Sequence, residues 1–258
     1  MKIRLTSDLH INFYKDGLRE GFKLALPTLK EDKETTLVVA GDISESFDAL
    51  DFINILSKRF KNVIFCLGNH DYYGSSIKAM HEKAKKFAES KNNVYFLEKS
   101  SVKIDGVTFA GGTLWSDFAL FNTPAISSDL CRYHMNDYQY IFKEKELRLM
   151  PQDTIDEFNS TIEFLKTLKG TDKLVVVTHH APSPKSVKID MVWNSVSPAY
   201  ASNLDDFIKE LKPKYWLHGH LHGYSRYCIG DCQVVQNCFG YYKYSENGMY
   251  NSNLILDI

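Results

Sequence analysis

Thr35 to Asp42 reads TTLVVAGD. Leu37 to Ala40 are apolar at every position rather than at alternate ones. That is the mark of a strand covered on both faces, and such strands belong to parallel sheets flanked by helices. The run then breaks into Gly41-Asp42, a turn glycine followed by a carboxylate. Working outward, KIRLTSD (Lys2–Asp8) and NVIFCLGNHD (Asn62–Asp71) repeat the form of an apolar strand ending in polar residues. Between these runs the apolar spacing turns helical. Leu18, Phe22, Leu26 and Leu29 form one set, and Phe47, Leu50, Ile53 and Leu56 another. Ser75 to Glu89 reads as a polar, Lys-rich helix. This βαβαβα rhythm predicts a mainly parallel sheet with covering helices.

The next segment changes character. NVYFLEKSSVKIDGVTFAGGTLW contains several short strands, and Asp105-Gly106 between alternating runs is a hairpin signal. Residues 116–150 are the least regular and read as an excursion of loop and short helix near the site. Asp153 to Leu168 has helical spacing at Ile155, Phe158, Ile162 and Leu165. The opening pattern then returns in KLVVVTHHAP (Lys173–Pro182), NLDDFIKELKP (Asn203–Pro213) and YWLHGHLHG (Tyr215–Gly223). No repeat, low-complexity tract or Pro/Gly/Ser-rich linker appears, so residues 1–258 read as a single domain.

Bulk properties narrow the function. A 258-residue chain with 44% hydrophobic and 24% charged residues is ordinary globular material. The formal net charge of −1 gives no basis for non-specific attraction to nucleic acid or an acidic membrane. No apolar run approaches the roughly 20 residues that span a bilayer, and the charged N-terminus lacks a signal-peptide core. Five cysteines without a CxxC pair suit neither a disulfide framework nor a thiolate zinc site; Cys66 reads as a small buried hydrophobe. A cytoplasmic protein is expected.

Polar clusters recur at the carboxyl ends of the expected strands, where open α/β sheets bind ligands. They are Asp8 and His10, Asp42, then Asn69, His70 and Asp71, then His179 and His180, and finally His220 and His222. Singly, an Asp before a turn is more often a turn or helix cap. Together, and in this order, they point to a metal site. Two divalent cations about 3.5–4 Å apart can clamp the attacking and leaving oxygens of a phosphoryl displacement. Carboxylates offset their charge, and imidazoles fix their geometry. Nitrogen and oxygen donors suit Mn, Fe, Zn, Co or Mg. If Asp8-x-His10 and His220-x-His222 are extended, each pair faces one side.

These blocks resemble the calcineurin-like metallophosphoesterases: D-x-H at Asp8 and His10, GD at Gly41-Asp42, GNHD at Gly68–Asp71, THHAP at Thr178–Pro182 and GHxH at Gly219–His222. The resemblance implies an α/β fold, a four-layer α/β/β/α sandwich of two mixed sheets flanked by helices. It implies a phosphomonoester or phosphodiester hydrolase with two divalent ions, manganese foremost, and a metal-bound hydroxide as nucleophile. Asp8, His10 and His222 would hold one ion, Asn69, His179 and His220 the other, and Asp42 would bridge. His70 would contact the phosphate and assist the leaving oxygen, with Asp71 orienting it. The family's H-H-x-P form selects His179 over His180 as ligand. Leu221 stands where the family commonly has Thr, and between two ligands it should point away from the ions.

His180, His218, Arg132 and His134 remain candidates for supporting the ligands or meeting substrate, beside purely structural readings. His81, in its Lys-rich helix, reads as a surface residue. Tyr241, Tyr242 and Tyr244 could stack a base or pack on a sheet. A small phosphoester is the expected substrate. A nuclease or cyclic-nucleotide phosphodiesterase with the same chemistry is the alternative, and a non-catalytic scaffold the third reading.

Overall fold

The computed structural model describes residues 1–14, 23–45, 48–144, 146–187, 195–242 and 249–258. Strands β1 (Lys2–Thr6), β2 (Thr36–Ala40), β3 (Asn62–Cys66) and β4 (Val94–Phe96) run parallel in one sheet, which β13 (Ile255–Asp257) closes antiparallel to β1. The second sheet has the order β11-β12-β10-β9-β6-β5, where β5 is Ser100–Ile104, β6 Val107–Gly112, β9 Leu174–Thr178, β10 Tyr215–His218, β11 Tyr224–Ile229 and β12 Cys232–Asn237. Its outer pairs are antiparallel and its centre is parallel.

The continuous apolar runs explain the layering. Side chains alternate between faces along a strand, so each run supplies two packed surfaces. Ile3, Leu5, Val38, Ala40, Ile64 and Cys66 meet Phe109, Val175, Val177, Leu217 and Val235 between the sheets. The intervening residues Leu37, Val39, Val63 and Phe65 turn outward to Ile53 and Leu56 of α1 (Asp48–Ser57) and Met80 and Ala84 of α2 (Ile77–Glu89). Across the molecule, Val176 and Trp216 face outward in the same way. Burying one such Val, Leu or Ile contributes roughly 1.5–3 kcal/mol, so a charge at Val177 would cost the sandwich its middle layer. The result is the expected four-layer α/β/β/α arrangement.

Local signals account for the edges of the elements. Asp105 and Gly106 take φ of 48° and 80°, the two left-handed positions of a tight hairpin turn, and Ile104 pairs with Val107. The Ser76 hydroxyl accepts from Ala79 N and caps α2. Residues 116–150 hold more helix than their composition suggests: α3 (Pro124–His134), α4 (Asp137–Tyr140), and a short hairpin of β7 (Phe142–Glu144) and β8 (Leu147–Arg148). Pro124 opens α3, as proline does at a first helical turn. Helices α5 (Pro151–Lys166) and α6 (Asp205–Leu211) follow. Part of the expected Leu18–Leu29 helix lies outside the described residues. Among the described residues no helix is long and apolar enough to cross a membrane.

Candidate metal centre

Parallel strands end on one edge, and that brings the polar blocks together. The loops after β1, β2 and β3 come from one sheet, and those after β9 and β10 from the other. They are laced by backbone bonds: Asp8 N to Gly41 O at 3.0 Å, His10 N to Asp42 O at 3.1 Å and Gly219 N to His179 O at 3.0 Å. His220 N donates to the Asp8 carboxylate, at 3.0 Å to Oδ2. The side-chain directions do not come from extended segments. Asp8, His10, Asp42, His220 and His222 have φ of 53°, 43°, 50°, 73° and 29°. This corrects the expectation that alternation aims each D-x-H or H-x-H pair. Left-handed turns do so, and strain of this kind concentrates at functional sites.

Two groups of side chains result. Asp8, His10 and His222 form one, and Asp42, His179 and His220 the other, with ligand-type atoms within 4.8 Å of one another in each. His10 Nε2 lies 3.2 Å from His222 Nε2, and Asp8 Oδ1 is 3.5 Å from His222 Nε2. In the second group His179 Nε2 is 3.1 Å from His220 Nδ1 and 3.0 Å from Asn69 Oδ1. Asp42 looks both ways. Its Oδ2 is 3.6 Å from His10 Nε2 and its Oδ1 3.4 Å from His179 Nε2.

The donor chemistry fits cations. His179 Nδ1 donates to Ala40 O at 2.9 Å, which leaves Nε2 with a lone pair. That lone pair faces two oxygens, Asn69 Oδ1 and Asp42 Oδ1, neither of which has a proton to give. Burial opposes charge on His179, yet Asp42 and Asp8 push the ring up to about 9, so without a cation Nε2 would hold a proton between these oxygens, and a bound cation would take that proton's place. Burial alone would raise the two carboxyls. The surrounding histidines hold Asp8 down at about 2 and Asp42 well below its ordinary value. Burial drives His10 down to about 3 and His220 well below its ordinary value, leaving both neutral as metal ligation requires.

Close approach demands glycine at these turns. A Cβ on Gly68 would lie 2.1 Å from Asp42 Oδ1, and one on Gly219 2.7 Å from Asp8 Oδ2. Leu221 packs in a small apolar cluster with Ala181, Val187 and Ala201 and also borders the cavity in front of the two groups. Asp71 is fully buried. Its Oδ1 accepts from Ile43 N and Ser44 N, both at 3.0 Å, and its Oδ2 accepts from Gly68 N at 2.8 Å. Burial and the Asp42 charge push its carboxyl up to about 8, against the pull of those amides. Its bonds run to backbone on either side of the His70 loop, with none to the His70 ring. That ring packs between His10, at 4.8 Å, and Tyr73, at 4.4 Å, with Nε2 3.5 Å from the Tyr241 hydroxyl.

The remaining candidates separate. His180 donates from Nδ1 to Thr113 O and stacks at 4.3 Å on His220, which it supports from behind. His218 turns away: Nδ1 donates to Gly219 O, and Nε2 accepts from Ser186 Oγ at 2.8 Å. His134 lines the cavity in front of the two groups. Arg132 does not; its guanidinium sits 5.7 Å from the Tyr133 ring. Tyr241 lies over His10 at 4.5 Å, Tyr242 packs against Tyr14, and Tyr244 lies outside the described residues. His81 is half-buried rather than fully solvated. Its Nε2 meets the buried Tyr72 hydroxyl at 2.8 Å, because this face of α2 packs inward.

Asp137 escaped the sequence reading. Its buried Oδ1 accepts from Asn69 Nδ2 at 2.8 Å and from the Tyr73 hydroxyl at 2.9 Å, which turns the Asn69 carbonyl toward His179. The one available signal was an acid after Asn136 at the start of α4.

The sequence profile of the calcineurin-like phosphoesterases matches residues 1–224. The chain belongs to this family. It is similar to an uncharacterized protein of Acanthamoeba polyphaga mimivirus, 27% identical over 99% of this chain and 96% of the other. Among solved structures, a phosphopantetheinyl hydrolase from Mycobacterium tuberculosis superposes with a TM-score of 0.72 at 17% identity, covering 93% of this chain and 89% of that one. A dimetal phosphatase from Danio rerio gives 0.55 at 14% identity, covering 95% and 89%. These structural likenesses establish the shared fold. Family membership makes phosphoester hydrolysis and divalent-metal binding the class of chemistry to which the two groups belong.

Proposed function

We propose that this chain hydrolyses a phosphomonoester or phosphodiester with two divalent cations, manganese foremost. Asp8, His10 and His222 would hold one, Asn69, His179 and His220 the other, and Asp42 would be shared between them. The observation that carries this is the division of Asp42, whose Oδ2 faces His10 and whose Oδ1 faces His179. When bound, such a pair supplies water of lowered pKa and offsets phosphate charge.

The chain's own groups do the rest. The Ala40 carbonyl fixes the His179 tautomer, and Asp137 fixes the Asn69 amide. Asp71 ties the amides of Ile43, Ser44 and Gly68, and so holds the loop that carries Asn69 and His70. The His70 ring stands at the cavity wall, where it meets the phosphate and gives a proton to the departing oxygen. Both groups and His70 are present together, which supports an enzyme over a binding scaffold. All five cysteines are free, which supports a reducing, cytoplasmic setting.

The test is hydrolysis of p-nitrophenyl phosphate and its bis ester by manganese-loaded protein, with metal content measured beside it. Turnover that disappears in Asp42→Asn is expected. Full metal loading without turnover of either ester, with Mn, Co, Zn or Mg, would refute the proposal.

A further inference from the structure

The cavity in front of the two groups has a volume of about 360 Å³, at the small end of the range for small-molecule sites, on the order of 300–1,000 Å³. Its inner wall is the Asp42, Asn69, His70, His220 and His222 cluster. The rest of its lining is mainly aromatic and apolar, Tyr73, Tyr200, Tyr241, Met135 and Leu221, with His134 and Asn136 as its polar members. Each tyrosine is seated against a histidine of the inner wall. Tyr73 lies 4.4 Å from His70, Tyr200 5.1 Å from His220 and Tyr241 4.9 Å from His222. Among the described residues that line the cavity there is neither a lysine nor an arginine.

Those features discriminate among phosphoesters. A nucleoside triphosphate or a nucleic acid strand brings several phosphates, and each beyond the first needs its own cation, most often arginine or lysine. Among the described lining residues, His134 is the one ionisable base outside the floor cluster, and no lysine or arginine stands ready for a second phosphate. A single phosphate on that floor leaves the rest of the substrate against three tyrosine rings, which favour a flat, uncharged group. The His70 ring itself is flanked by Tyr73 at 4.4 Å and Tyr241 at 6.2 Å.

Resting on the activity proposed above, we infer that the substrate carries one phosphate ester joined to an uncharged aromatic or similarly flat apolar group, and that Tyr200 and Tyr241 select it. Such a single-phosphate ester is preferred over polyphosphates and polynucleotides.

Binding of two inhibitors of equal charge, phenylphosphonate and methylphosphonate, to the manganese-loaded protein by calorimetry isolates the inference from turnover. The phenyl compound binds about tenfold more tightly, as one stacking contact predicts. Tyr200→Ala and Tyr241→Ala each reduce that ratio several-fold, a change that a uniform loss of phosphonate binding would not produce. Equal affinities for the two phosphonates in the native protein overturn the inference but leave the hydrolase proposal standing. So does a lower KM for tripolyphosphate or an oligothymidylate than for phenyl phosphate. Absence of binding by either phosphonate, together with absence of turnover, overturns both.

Discussion

Replacing Asp137 with alanine removes one oxygen that serves two buried donors, Asn69 Nδ2 at 2.8 Å and the Tyr73 hydroxyl at 2.9 Å. Asp137 itself is 3% exposed, so water cannot readily replace it. Each donor left unpaired costs roughly 1–3 kcal/mol. Relief from burying a carboxylate offsets part of this, giving a net loss of about 2–4 kcal/mol. For a chain of this length that lowers Tm by roughly 5–10 °C. The second effect is on the metal. With its amide unanchored, Asn69 no longer presents Oδ1 beside His179 Nε2, and lost outer support of this kind weakens metal affinity about 10–100-fold. Asp137→Asn keeps a carbonyl oxygen for both donors and should recover most of each loss. The assay is a manganese titration by calorimetry on metal-stripped protein, with thermal unfolding measured beside it. Unchanged manganese affinity in Asp137→Ala, or no recovery in Asp137→Asn, would refute the reasoning.

Asp42→Asn should leave the fold intact and reduce kcat on p-nitrophenyl phosphate to about 1% or less, since a bridging carboxylate is lost; metal content drops below two ions per chain by elemental analysis. His70→Ala should lower kcat about 10²–10⁴-fold, and by more for an alkyl phosphate than for p-nitrophenyl phosphate, whose leaving group needs no proton; an equal loss for both would remove the leaving-group role. Gly68→Ala drives a Cβ against Asp42 Oδ1, so metal affinity should fall at least tenfold, read by manganese titration, an order-of-magnitude figure for disturbed ligand support. Burial holds His218 down at about 4, below the ~6.5 of an unfolded imidazole. The unfolded chain therefore takes up its proton first as pH falls, and the ring's contribution, complete above about 6.5, is lost toward pH 4. Denaturant unfolding at several pH values should show native protein losing stability faster than His218→Gln by about 1.4 kcal/mol per pH unit over that window; equal slopes would contradict it.

The sequence announced what the backbone alone compels. A run such as Leu37–Ala40 is buried on both faces wherever it sits, and Gly41, Gly68 and Gly219 stand where any side chain would strike a carboxylate or an imidazole. The strand-end blocks and the parallel first sheet were legible for that reason. The aim of the side chains was not. Asp8, His10, His220 and His222 lie on left-handed turns, and alternation along a strand says nothing about those. Nor was Asp137 legible, because its meaning depends on Asn69, 68 residues earlier. Helix α3 was hidden for another reason: Ile126 and Tyr133 are 62% and 66% exposed, so apolar spacing did not mark a buried face. His81 shows the reverse case, a polar residue in a Lys-rich helix that turns inward to Tyr72.

His220 N reaches the Asp8 carboxylate across 212 residues, and His10 reaches His222 across the same span. The two halves of the centre therefore belong to opposite ends of the family domain and to different sheets. A growing chain that has reached β9 has made Asp8, Asp42 and Asn69 but cannot yet enclose either group. The centre closes only when the loop after β10 arrives, so metal retention reports on completed assembly of the sandwich rather than on any part of it.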